Sequence, residues 1–146
     1  MRSIFVAVAL LAAACVQSSP NRPTPSPATL TGTWAGDFPV QGQTARMSWT
    51  LTQTNASVTG PALIGLPNGV VLANGVVSGT FADPTLTFVI TIGPGAVPAE
   101  PTCSGQLAGI ATASFAAVST LTGNYTATSS SCTTPFSSGT FTLTRQ

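Results

Sequence analysis

The chain has 146 residues, with four arginines against three acids and neither lysine nor histidine. So sparse a charge inventory excludes an electrostatic grip on phosphates, and nucleic-acid binding with it. The missing histidine and lysine remove the commonest general base and the Schiff-base nucleophile, while 43% apolar content rules out a disordered chain.

Taken from the start, Met1-Arg2-Ser3 places one positive charge before an unbroken apolar run over residues 4–11, followed by Ala12-Ala13-Ala14 and Cys15. A charged start, a short apolar centre and small residues before the cut describe a secretory signal peptide over 1–14. The run is too short for a membrane span, which needs about 20 apolar residues. Small residues set directly before a cysteine resemble the lipobox of bacterial lipoproteins, with Ala12 where that family usually carries leucine. The resemblance implies that the Cys15 thiol is acylated, the chain cut before it, and the new N-terminus held in a membrane by its lipids. Val16, rather than aspartate, follows the cysteine, which by the same resemblance implies the outer membrane of the cell envelope. The alternative is ordinary cleavage after Ala14, giving a secreted or periplasmic soluble protein.

Three cysteines are an odd number for an exported chain. With Cys15 acylated, Cys103 and Cys132 remain as one pair, closing a loop of about 30 residues worth roughly 3–4 kcal/mol in the chain-entropy picture. Residues 15–29 then form a lipidated cysteine and tether. Within it Ser18-Ser19-Pro20-Asn21-Arg22-Pro23-Thr24-Pro25-Ser26-Pro27 repeats proline with small polar residues and reads as a semi-rigid spacer. After cleavage Arg22, Arg46 and Arg145 balance Asp37, Asp83 and Glu100, three minus three, leaving no formal net charge.

From Leu30 to the end, one all-β domain over 30–146 is expected. Met47-Ser48-Trp49-Thr50-Leu51-Thr52 alternates apolar with polar, as do Leu86-Thr87-Phe88 and Thr140-Phe141-Thr142-Leu143-Thr144. Threonine is β-branched and presents a hydroxyl to water without a charge, which reconciles 5% charged residues with solubility. Breakers at Asp37-Phe38-Pro39, Thr54-Asn55-Ala56, Pro67-Asn68-Gly69, Asp83-Pro84, Gly93-Pro94-Gly95 and Ser129-Ser130-Ser131 divide it into about eight strands: 30–38, 44–53, 56–64, 75–82, 85–92, 103–113, 118–128 and 138–145. Eight short antiparallel strands suit an up-and-down meander barrel, the alternative being a β-sandwich. The recurring Val58-Thr59-Gly60, Val77-Ser78-Gly79 and Leu121-Thr122-Gly123 place glycine where coiled strands bend sharply. If strands 103–113 and 118–128 form a hairpin, Cys103 and Cys132 meet at its open end.

Gly32-Thr33-Trp34 on the first strand, with Arg145 ending the last, resembles the signature of the calycins, the lipocalin- and avidin-like barrels. The resemblance implies a barrel in which Trp34 closes one end and Arg145 packs across it. Ala35-Gly36 replaces the polar residues that follow this tryptophan in biotin binders, so biotin is not the implied ligand.

Three acids, two at turns and one in a proline-rich loop, offer no paired carboxylates, and no histidine or acid cluster offers a metal site. Neither catalytic residues, a metal nor a cofactor is expected. Two readings of function follow. In the first, the anchored lipocalin-like barrel binds a small apolar ligand. Trp49 and Tyr125 face it from inside, and Leu66, Val70 and Leu72 form an entrance in a folded loop over 64–75, a segment that carries Asn-Gly turn signals at Asn68-Gly69 and Asn74-Gly75 and also reads as a short extra hairpin closing the core. In the second, the barrel is filled and serves as an envelope-displayed interaction module, such as an enzyme inhibitor or assembly factor, with loops near 93–101 facing a protein partner. An internal cavity separates the two.

Overall fold

The computed structural model describes residues 28–146 except Gln41 and Pro135, and for Phe38 the backbone alone. The segment expected as a signal peptide, Cys15 and the part of the expected tether up to residue 27 lie outside the described residues. Eight strands follow one another: β1 (Gly32–Val40), β2 (Gln43–Thr54), β3 (Ser57–Gly65), β4 (Val71–Ala82), β5 (Thr85–Ile92), β6 (Gly105–Phe115), β7 (Ser119–Ser130) and β8 (Gly139–Arg145). Each pairs antiparallel with the next, and β8 returns to β1 through Trp34↔Arg145 and Ala35↔Thr144, so the sheet closes as a barrel in sequence order. The meander barrel expected from the alternation is the fold, and the sandwich is set aside.

The period-2 pattern explains the inside and the outside. In β5, Leu86, Phe88, Ile90 and Ile92 are buried while Thr87 and Thr91 stand exposed. The same split runs through β8, where Phe141 and Leu143 face in and Thr140 and Thr142 face out. Register then aligns outward threonines in a row across four strands: Thr85 opposite Thr112, Thr112 opposite Thr122, Thr122 opposite Thr142. A strand slip of one residue would reverse the two faces, so burial fixes this register.

Tight coiling needs glycine at particular crossings. At Gly60 a Cβ would collide with the Thr50 carbonyl of the neighbouring strand, a backbone contact that cannot swing aside. Around this point the β2–β3 ladder lapses between Trp49↔Ala62 and Thr52↔Thr59, and Pro61, which has no N–H to donate, occupies the gap.

Two sequence expectations need correction. Asp37-Phe38-Pro39 does not end the first strand: β1 runs on to Val40, and Asp37 lies mid-strand opposite Arg46, forming an exposed ion pair at 3.6 Å. Asp37 therefore is not a turn aspartate, because its strand is held by pairing to β2 through the hairpin at Gly42. Asn74-Gly75 is likewise no turn. The β4 strand starts at Val71 rather than residue 75, and Gly75 stands where a Cβ would come 2.7 Å from the Thr91 carbonyl. The folded loop considered for residues 64–75 is instead the tip of an ordinary β3–β4 hairpin. Gly69 N donates to Leu66 O at 2.9 Å, Leu66 N donates to Val70 O at 2.8 Å, and Gly69 takes a φ of 88°.

Up-and-down connectivity sorts the ends. The entering chain at Leu30, the turns at 55–56, 83–84 and 116–118, and the C-terminus share one end. The turns at Gly42 and 66–70 and the connections after β5 and β7 share the other. We call these the near and far ends.

Candidate functional site

The barrel interior is occupied by side chains. Trp49 stands at its centre, fully buried, with Phe88 and Phe141 at ring-centroid distances of 5.1 and 5.0 Å and those two phenyl rings 5.8 Å apart. Edge-to-face and tilted aromatic pairs add about 0.5–1.5 kcal/mol each beyond their buried area. Met47, Leu51, Val58, Val77, Leu86, Leu121 and Leu143 complete the packing around them. The void left between Trp49, Met47, Ala62, Ala73, Ile90 and Leu107 measures about 10 Å³, which is about the room of one water molecule. Its lining offers no acceptor to Trp49 Nε1, a buried donor without a partner among the described residues. A site for a water needs two to four polar partners, so this void is a packing defect rather than a binding site.

The near end is closed by the residues singled out on the first and last strands. Leu30 and Trp34 are fully buried, and Trp34 Nε1 donates to the Leu30 carbonyl at 2.7 Å. The Arg145 guanidinium lies over the Trp34 ring at 4.7 Å and near the Phe115 ring at 5.8 Å, and its Nη2 donates to the Thr29 carbonyl. Gln53 Oε1 accepts from Leu30 N at 2.8 Å, holding the same entering segment from β2. Chain entry into the barrel is therefore fastened by three side chains from β1, β2 and β8.

The far end is closed by loops. Turn follows turn through 93–104: Ala96 N donates to Gly93 O, Glu100 N to Val97 O, and Cys103 N to Glu100 O. Ala96 is buried, its carbonyl accepts from Asn74 N at 2.8 Å, and Val97 and Phe136 pack against the core beside it. Cys103 and Cys132 are joined in a disulfide, with Cα atoms 4.7 Å apart, where β6 begins and β7 has ended. This is the hairpin-end meeting that the strand pairing predicts. Ser131 N donates to Ser104 O at 2.9 Å beside it, so the ladder continues up to the bridge. Glu100 reaches from one loop to the other: Oε2 accepts from Thr133 N at 2.6 Å and Oε1 from Thr134 N at 3.3 Å. The Thr133 N–H holds the Glu100 carboxyl below its ordinary range.

Of the residues expected to line a ligand path, Trp49 is core, and Tyr125 sits half-buried towards the far end, 6.5 Å from Phe141. Burial pushes the Tyr125 hydroxyl pKa up, against a smaller opposing effect of its hydrogen bond with Ser137. Leu66 and Leu72 pack down on the core from the β3–β4 hairpin, whereas Val70 is 50% exposed and points away from it. The structure thus does not gather these five side chains around one space. What the sequence did not disclose is the pairing of loops 93–104 and 131–138 through Glu100, because a carboxylate bonded to backbone N–H groups 33 and 34 residues away leaves no local motif.

No family profile matches the chain, and no curated protein or solved structure is similar to it.

Proposed function

We propose that this protein is a lipid-anchored envelope protein whose filled barrel is a rigid stand, displaying the far-end loops 93–104 and 131–138 to a protein partner. The packed interior carries the reading: among the described residues the space beside Trp49 measures about 10 Å³, too small for even a small apolar ligand. Apolar side chains inside and threonines outside are also the reverse of a membrane-spanning barrel, which is polar within and apolar towards lipid. Attachment through Cys15 accounts for membrane residence without any spanning element. The tether joins the barrel at the fastened near end, so the far end points away from the bilayer. There a disulfide and Glu100 limit the motion of two loops, which reduces the entropy lost when a partner orders them. The calycin resemblance fits the Trp34–Arg145 closure and remains part of this proposal.

A photo-reactive side chain placed at exposed Pro98 or, at the near end, exposed Ala117 tests the reading in intact cells. Products of higher mass are expected from position 98 and not from 117, and the Cys15→Ser chain should leave the membrane fraction. Cross-links confined to position 117 would overturn the orientation, and a membrane-bound Cys15→Ser chain would overturn the anchor.

A further inference from the structure

We propose that reduction of the Cys103–Cys132 bridge turns it, together with Glu100, into a binding site for one thiophilic divalent cation, with zinc as the best fit. The ligand atoms of these three residues all lie within 4.8 Å of one another. Two independent features of the fold bring them together. Glu100-Pro101-Thr102-Cys103 closes a tight turn, Cys103 N donating to Glu100 O at 2.9 Å, so a carboxylate and a thiol sit three residues apart on one turn. Cys132 arrives from the other side of the β6–β7 hairpin, its Cα 4.7 Å from that of Cys103. Short ligand spacing on a turn, completed by a ligand from a distant segment, is the usual construction of a protein zinc site.

The carboxylate is also prepared for a cation. Thr133 N and Thr134 N donate to its two oxygens and fix their direction, as outer hydrogen bonds do for metal-bound carboxylates. A carboxylate has about four acceptor positions, and these two bonds leave the others for a metal. Two thiolates and one carboxylate make three protein ligands, and the fourth position of a tetrahedral zinc stays open to water. Zinc–sulfur bonds of about 2.3 Å set the two sulfurs roughly 3.8 Å apart, a separation that side-chain rotation at the open hairpin end supplies.

The chemistry balances in two steps. A dithiol reductant passes two electrons and two protons to the cystine, giving two thiols and becoming a cyclic disulfide itself. The cation then forms two metal–sulfur bonds as the thiols release two protons, so uptake strengthens as pH rises. A disulfide oxidant reverses the exchange: the two metal–sulfur bonds break and release the cation, the two sulfurs join as cystine, and the oxidant takes their two electrons with two protons from water to become a pair of thiols, so the far-end loops respond to both redox state and zinc.

The test uses the full chain, reduced with a dithiol that is then removed without air, and equilibrium dialysis against zinc alone. The comparison chain carries Cys103→Ser with Cys132→Ser and retains Cys15, so any zinc held by that thiol cancels. The reduced native chain is expected to bind one zinc more than the comparison chain, and zinc is expected to raise its Tm while leaving that of the oxidised chain unchanged. Glu100→Gln is expected to weaken zinc binding at least tenfold. Equal zinc counts in the reduced native and comparison chains would overturn the proposal, as would a reduced-chain Tm indifferent to zinc. Fluorescence of the buried Trp34 and Trp49 reports folding throughout, and zinc uptake seen only after they become exposed would equally contradict a site built by the fold.

Discussion

Arg145 ties three parts of the chain together: its guanidinium covers Trp34 of β1, approaches Phe115 at the end of β6, and donates to the Thr29 carbonyl. A cation over an indole contributes about 0.5–2 kcal/mol, and a charged donor to a carbonyl about 1.5–3 kcal/mol when shielded from water. Arg145 is part-exposed, which places the joint effect towards the lower end. Arg145→Ala is therefore expected to lower unfolding free energy by about 2 kcal/mol in urea, with the midpoint falling and the slope nearly unchanged. A loss below about 0.5 kcal/mol would show that the near end is held by Trp34 and Gln53 alone. Trp34 and Arg145 were legible in the sequence through the resemblance of Gly32-Thr33-Trp34 and the late arginine to the calycin signature. Glu100 was not, because its role is set by N–H groups that only the disulfide and the hairpin register bring to it.

At the scale of strands, the alternation of threonine with large apolar residues was enough to place all eight, with most ends off by one or two residues. The larger error, at the start of β4, has a clear cause. Asn-Gly marks a tight turn at Asn68-Gly69, where Gly69 has positive φ, but in Asn74-Gly75 the glycine serves a close strand crossing. Sequence shows the same dipeptide for two different physical needs. The crossing glycines make a sharp prediction. Gly60→Ala places a methyl against the Thr50 backbone and is expected to destabilise the barrel by about 1–3 kcal/mol or more, as overpacking does. Gly93→Ala, with nothing within 4 Å of its would-be Cβ and no positive φ, is expected to stay within about 0.5 kcal/mol of the native chain. Thermal or urea unfolding of the two variants side by side checks this. Equal effects would mean that strand coiling does not depend on the Gly60 crossing.

For the whole molecule, the features combine into an object with a solid centre and two differently closed ends. One end fastens the entering chain through Gln53, Trp34 and Arg145, and the other joins two loops through the Cys103–Cys132 bridge and Glu100. Sequence alone put a ligand-holding barrel first and kept a filled one as its alternative, since small residues such as Gly105, Ala111 and Ala113 on one strand fit both. In the structure Gly105 lies against the Phe136 ring and Ala111 lies directly against the backbone position of Gly123, so at both positions the room left by a small residue is already taken by its neighbour. Native mass spectrometry of the mature chain, isolated from the cells that make it without refolding, tests the filled barrel most directly. We expect the covalent mass of the disulfide-bonded mature chain, with or without an acyl modification, and no small molecule released on gentle activation. A stoichiometric apolar ligand that leaves on activation would contradict the account and return function to the barrel interior.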